Sequence, residues 1–166
     1  EILFNKVPDG QLSHALAALK PGDTVEVSQP ASGFFVLDEV PEAEELWMFA
    51  TGTGVGPYVS MIREGQLWDR FKRCVLVQSS SFKSQLAYRD ELAELQQARP
   101  DQFTYLTCVT QEPHPDGLSD RFTTALESGK LEQELDLNLS ADSAHVMLCG
   151  NHHMLDDMKS ILAIIS

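Results

Sequence analysis

The sequence predicts an α/β fold built on a doubly wound parallel sheet. Three observations carry that reading. From residue 46 onward, short apolar runs alternate with amphipathic stretches four times over. The first run passes directly into a glycine-rich turn, "TGTGVGP" at 51–57. The last run ends in "LCGN" at 148–151 and leads straight into another amphipathic stretch.

The elements follow in order. Residues 46–50 form a continuous apolar run and predict a buried strand. Residues 58–67 predict a helix. "RCVLVQSS" is the second strand, and "SQLAYRDELAELQQA" predicts an amphipathic helix with Leu86, Leu92 and Leu95 among its apolar positions. "FTYLTCVT" is the third strand. "DRFTTALESGKLEQEL" predicts a helix interrupted at Gly129. "AHVMLCG" is the fourth strand, and "NHHMLDDMKSILAII" the last helix.

Residues 1–40 have a different texture. "ILFNKV", "DTVEVSQ" and "GFFVL" have strand character, and turn signals such as "KPGD" lie between them. "GQLSHALAAL" predicts a helix with Leu12, Leu16 and Leu19 on one face and Ser13 able to cap. Forty residues are too few to close a barrel, so this segment predicts part of an antiparallel β unit. The polar stretch "DEVPEAEE" links it to the α/β part.

Composition narrows the function classes. The chain has 166 residues, is 43% hydrophobic and carries a formal net charge of -13. That length supports one full domain and a fragment of a second. The acidic excess argues against a nucleic-acid surface, which needs Lys and Arg to displace counterions. It also argues against docking on anionic membranes. No apolar run is long enough to span a bilayer, and no signal-peptide pattern is present. Cys74, Cys108 and Cys149 are far apart and form no CxxC pair. They predict free thiols in a reducing compartment, hence the cytoplasm. A start at Glu1 without Met and an uncapped apolar end read as a piece of a longer protein.

The glycine turn is the first candidate site. Gly52, Gly54 and Gly56 permit positive φ and close backbone approach. Pro57 suits a first helical turn. The following helix would offer free N–H groups and a positive dipole end to an anion, with Thr51 and Thr53 adding hydroxyls. The spacing is not the GxGxxG dinucleotide fingerprint, and a tight strand-to-helix turn alone would explain the glycines. "VMLCGNHHM" is the second candidate. Cys149 and Gly150 stand at a strand end, and Asn151 is placed to cap the next helix. In a parallel sheet the two strand ends can face one crevice.

Together "GTGVGPY" and "VMLCGNHHM" resemble the bacterial flavin-dependent ferredoxin/flavodoxin–NADP reductase family, with its GTG-x-x-P and CGN-x-x-M patterns. "VPDGQLSHALAALKPGDTVEV" and "GFFVLDEVPEAEELWMFATGTG" extend the resemblance over almost the whole chain. It implies that residues 1–40 are the end of an FAD-binding β-barrel and 41–166 an NADP-binding domain. It implies a hydride moving between NADPH and FAD, with ferredoxin or flavodoxin exchanging electrons. Gly10, Leu12 and Ser13 match the flavin-pyrophosphate loop. Gly52, Thr53, Gly54 and Pro57 match the nucleotide turn, with Thr51 beside it. Cys149, Gly150 and Asn151 match the strand end beside the nicotinamide, Cys149 in the catalytic position. A monomer is expected, as is no contact with nucleic acid or membrane.

The chain departs from that family in three ways. The Arg-x-Tyr-Ser flavin strand is absent, and so is the C-terminal segment that reaches back to the flavin. FAD is therefore expected to bind this chain weakly or not at all. Where relatives place arginines for the 2′-phosphate, this chain has Ser81 and Gln111. Arg121 matches a remaining basic position, and Lys83 and Arg89 are candidate substitutes. No Asp or Glu stands in "VQSSSFK" to bond a ribose, so charge favours NADP over NAD. Two other readings stay open: a free flavin reductase and a catalytically incomplete nucleotide-binding fragment.

Other residues have plain explanations. Cys74 and Cys108 read as core. His152 and His153 are adjacent on a helix, hence about 100° apart and poorly placed to share a metal. They read as solvent- or ligand-edge groups. His14, His114 and His145 have no partners at ligand spacing, and Asp156 and Asp157 read as a solvated helix face. The serines at 79–81 lack a nucleophile elbow. Tyr88 either stacks on adenine or packs, and Phe34 and Phe35 read as barrel core or flavin edge.

Overall fold

The structure, a computed structural model, describes residues 2–30 and 32–165. Four strands form one parallel sheet: β1 (Glu45–Thr51), β2 (Arg73–Ser80), β3 (Phe103–Val109) and β4 (Ala144–Cys149). Their order is β3-β2-β1-β4. Strand order therefore reverses at β1, and the crevice for a ligand lies beyond the carboxyl ends of β1 and its neighbours. The register sets Ala50 against Cys149 across β1 and β4, and Thr51 against Ser79 across β1 and β2. The two sequence motifs are thus neighbours in space.

Side chains alternate across the sheet because strand period is two residues. Leu46, Met48 and Ala50 of β1 face one layer with Leu76 of β2, the helices α2 (Val55–Glu64) and α4 (Arg89–Ala98), and the short α3 (Leu67–Arg70). Trp47 and Phe49 face the other layer with Val75 and Val77, α5 (Phe122–Glu127), α6 (Lys130–Leu135) and α7 (His152–Ile165). All of these β1 and β2 residues are fully buried. Helices on both faces make the sheet doubly wound, as the sequence predicts.

The helix breaks have local causes. Gly65 ends α2 in the left-handed region (φ 89°), and Gly129 separates α5 from α6 at φ 74°. Both conformations suit glycine. The helix expected over 84–98 starts only at Arg89. Tyr88 before it is left-handed (φ 61°), and residues Lys83–Gln85 form a single 3-10 turn. Buried Gln78 enforces this: its amide donates to the Ala87 carbonyl (3.2 Å) and accepts from the Tyr105 hydroxyl (2.5 Å). Satisfying that buried amide outweighs a few residues of helix.

The region before Glu45 departs from expectation. Residues 11–18 form α1 (Gln11–Ala18), but the three segments expected as strands form no ladder among the described residues. Alternation of apolar and polar residues fits a strand, yet only a paired neighbour makes one. Several apolar side chains there remain uncovered, with Leu12 72% and Phe34 84% exposed, while Leu37 is buried in the core beside Leu3, Val40 and Ala43. Ser13 does not cap α1. Its hydroxyl donates to the Gly10 carbonyl and accepts from the Val7 N–H, both at 3.1 Å. The segment is anchored where Arg70 donates to the carbonyls of Leu37 and Val40, and where Phe35 lies against buried Tyr58 (ring centroids 5.6 Å).

Candidate functional site

A cleft of about 970 Å³ opens at the carboxyl ends of the strands. Each strand contributes one wall. The turn after β1 brings Thr51, Gly52, Thr53, Gly54 and Pro57. The end of β2 brings Ser79, Ser80 and Ser81, and the segment before α5 brings Arg121. The end of β4 brings Cys149, Gly150 and Asn151.

The β1 and β4 walls interlock. A Cβ built on Gly54 would lie 2.2 Å from the Cys149 carbonyl oxygen, so only glycine fits there. A Cβ on Gly150 would lie 2.0 Å from Thr51 Oγ1. Thr51 Oγ1 accepts from the Asn151 backbone N–H (3.1 Å) and side-chain amide (3.4 Å). Asn151 Oδ1 in turn accepts from the Met154 N–H at 2.9 Å and caps α7. With its acceptor capacity used, the Thr51 hydroxyl keeps one proton to donate toward the cleft.

Gly52 has φ 54° and nothing within 4 Å of the position its Cβ would take, so backbone faces open space there. The turn continues as a 3-10 turn, Gly52–Gly54, into α2; the Val55 N–H donates to the Thr53 carbonyl, and the next N–H, that of Gly56, has no acceptor within α2. That end suits a phosphate. Pro57 sits in the first turn of α2, where it removes no helical hydrogen bond.

Cys149 is half-buried, and burial raises its pKa, so the group is a neutral thiol at neutral pH. Behind it Tyr58 is fully buried and donates to the Phe49 carbonyl at 3.3 Å. Burial, then Cys149, pushes the Tyr58 phenol far above its ordinary range. The strand-end wall is therefore uncharged.

The β2 wall is polar and nearly uncharged too. Backbone bonds from Thr110 N to Ser80 O (3.1 Å) and Gln111 N to Ser81 O (2.9 Å) carry the β2–β3 pairing past the strands and hold Ser81 on the rim. Gln111 itself lies outside the cleft lining, as do Lys83 and Arg89. Arg89 pairs with Asp90 at 3.2 Å. Tyr88 packs rather than lining the cleft, with the Arg63 guanidinium 5.2 Å from its ring centroid.

Ten of the expected site residues thus share one cleft, and Gly10, Leu12 and Ser13 stand outside it. Sequence reasoning missed Leu3, Asn5, Gln85, Thr123 and Asp157, which also line it. The polar ones carry no local motif, and Leu3 and Asn5 reach the cleft only through the path of the N-terminal segment. His153 lines the cleft and His152 does not. Among the described residues no cluster of His, Cys, Asp and Glu could hold a metal ion, and no helix is long and apolar enough to cross a membrane.

A parallel sheet reversing at β1, with a glycine turn and a helix start facing its crevice, defines a nucleotide-binding α/β domain. The family model for the oxidoreductase NAD-binding domain matches residues 48–160, and the chain belongs to that family. It is similar to the flavodoxin/ferredoxin–NADP reductases of Shigella flexneri and Escherichia coli (strain K12), 46% identical over 159 residues in each case. The matches cover 96% of this chain and 64% of each relative, so the chain spans less than two thirds of their length. Its structure resembles that of a ferredoxin NADP+ reductase from Neisseria gonorrhoeae with bound FAD and NADP. There the TM-score is 0.89 at 30% identity, over 97% of this chain and 65% of that one.

Proposed function

We propose that the chain is the NADP(H)-binding part, with the edge of the flavin-binding part, of a ferredoxin/flavodoxin–NADP reductase. The observation that supports this most is the interlock of the "TGTG" turn with "CGN", which makes two walls of a single cleft. The lining fits a dinucleotide: open glycine backbone and a helix start for the diphosphate, and Arg121, Ser81 and Thr123 for a further phosphate. Gly54 and Cys149 fix the spacing between the phosphate turn and the thiol. The neutral Cys149 side chain offers a polarizable, uncharged surface beside a nicotinamide, and Thr51 offers a hydrogen-bond donor to the same region.

The nicotinamide and flavin cofactors supply the hydride chemistry, and the protein orients them. For the flavin, the start of α1 leaves the N–H groups of Leu12 and Ser13 without intrahelical acceptors. Gly10 permits that turn, since a Cβ there would meet Ser13 Oγ at 2.7 Å. The assignment of residues 1–40 to a flavin-binding domain, and of ferredoxin or flavodoxin as the protein partner, belongs to this proposal. So do a monomeric state and a cytoplasmic setting.

Equilibrium titration of the chain with NADPH and NADH tests the reading, followed by reduction of added FAD. Saturable binding with preference for NADPH is expected, with Arg121→Ala weakening NADPH alone. Absence of saturable binding to either nucleotide would overturn it.

A further inference from the structure

The charges on the cleft wall are few. Among the described lining residues, Arg121 is the only Lys or Arg, Asp157 the only carboxylate and His153 the only histidine. Arg121 comes from the segment entering α5, while His153 and Asp157 come from the first two turns of α7. At i and i+4 they share one face of that helix. The wall from β1 contributes hydroxyls and glycines, the wall from β2 contributes serines and Gln85, and Cys149 of β4 is a neutral thiol. Asp120 accepts from the Arg121 N–H at 2.8 Å but does not line the cleft. With a neutral imidazole the charged lining sums to zero, and with a protonated one it is cationic. The rest of the chain is strongly acidic, so this single proton decides the local sign presented to an anion.

We infer that His153, in its protonated form, is a second cationic contact, besides that of Arg121 elsewhere on the cleft wall, to the phosphates of the bound nucleotide, and that it makes nucleotide affinity rise as pH falls. The inference rests on the nucleotide reading of the cleft. His153 is exposed and its neighbour His152 does not line the cleft, so the His153 ring can turn toward a ligand without disturbing the fold. Imidazole changes charge between about pH 5 and 8, the range in which such a contact switches. A diphosphate bridge keeps its charge over that range. A terminal phosphate loses part of its charge near pH 6, and comparing variants at each pH cancels that loss.

The test uses the 166-residue chain and adenosine 2′,5′-bisphosphate as the probe, at about pH 8 and about pH 5.5, the two sides of imidazole titration. His153→Gln is expected to match the parent at the higher pH. At the lower pH it should bind about threefold more weakly, the scale of an exposed charge pair. The His153 ring resonance in NMR should titrate at higher pH once the probe saturates the site. Equal ratios at both pH values, or an unmoved His153 midpoint at saturation, would overturn the inference while leaving nucleotide binding intact. Failure of the parent chain to bind the probe at either pH would overturn both the inference and the function it rests on. Arg121→Gln, expected to weaken binding at both pH values, separates the two contacts.

Discussion

Gly54 touches the backbone of Cys149, residues 95 positions apart whose separation leaves no room for a single methyl group. The contact joins the phosphate turn to the strand end that carries the thiol. Gly54 is not left-handed; its φ is -61°. What it supplies is closeness. Gly54→Ala is therefore expected to destabilise the chain by about 1–3 kcal/mol, the usual cost of forcing a methyl into packed atoms. Because the clash is with backbone, it should also open the cleft between the β1 and β4 walls. Urea denaturation measures the first effect and nucleotide titration the second. Full affinity in a destabilised Gly54→Ala chain would mean the contact serves the fold alone.

Gly150 and Thr51 form a second such pair, and here the obstacle is a side chain. Gly150→Ala would place a methyl 2.0 Å from Thr51 Oγ1. Thr51→Ala removes that oxygen and the acceptor for Asn151, at a cost of about 1 kcal/mol for the lost hydrogen bonding. The double variant should then be less destabilised than the sum of the singles, by at least about 0.5 kcal/mol. A double-mutant cycle by denaturant unfolding reads this directly. Additive effects would show that Thr51 already yields by rotating away.

The pairings across the sheet explain what was legible in the sequence. Residues 46–50 and 74–77 are buried on both faces, so each reads as an unbroken apolar run whatever its neighbours are. The glycine turn and "CGN" carry their chemistry in adjacent residues, and parallel pairing of β1 with β4 then brings them together. Tyr88 is ambiguous in the sequence because packing against Arg63 or stacking on a ligand requires the same aromatic ring. The apolar spacing of 84–98 does not show where α4 starts, because Gln78, a buried amide on another strand, holds the residues before Arg89 out of the helix. The runs at 2–7, 23–29 and 33–37 have the composition of strands, but composition says nothing of a pairing partner, and there the expectation and the structure part, while the helix expected between the first two is present as α1.

Cys149 should be the first of the three cysteines to react, and slowly. Cys74 and Cys108 are fully buried, and burial pushes both thiols up to about 12. Cys149 is half-exposed in the cleft, with its own pKa raised by burial. The thiolate is the reactive form, so alkylation by iodoacetamide should be sluggish near neutrality and accelerate at alkaline pH. Peptide mass spectrometry should find the label on Cys149 before the other two. Saturating NADP+ should protect it if the nicotinamide lies against the thiol, and equal labelling with and without nucleotide would remove Cys149 from the site.

His114 sets a pH dependence of folding that is separate from the cleft. After β3 the chain turns back so that Leu118 bridges to Cys108, with Val109 N donating to Leu118 O (2.8 Å) and Leu118 N to Thr107 O (3.0 Å). This return covers part of the open edge of β3. His114 is buried beneath it, its Nε2 2.6 Å from Thr107 Oγ1 and its backbone N–H donating to Ser119 Oγ at 2.7 Å. Its Nδ1 is buried without a hydrogen-bond partner. Burial lowers the His114 pKa, an effect that nearby Asp116 and Glu112 oppose and that Lys83 and Arg89 reinforce. The folded state thus holds the neutral ring, and below the unfolded pKa the unfolded chain binds more protons. Stability from this group is complete above about pH 6.5 and is lost as pH falls toward the lower folded value. Urea midpoints for the parent chain should therefore fall from neutral pH to mild acid more steeply than those of His114→Gln. The variant will start lower, since it disturbs the bond to Thr107, but its profile should be flatter. Parallel profiles for the two chains would show that the acid sensitivity comes from the carboxylates and not from His114.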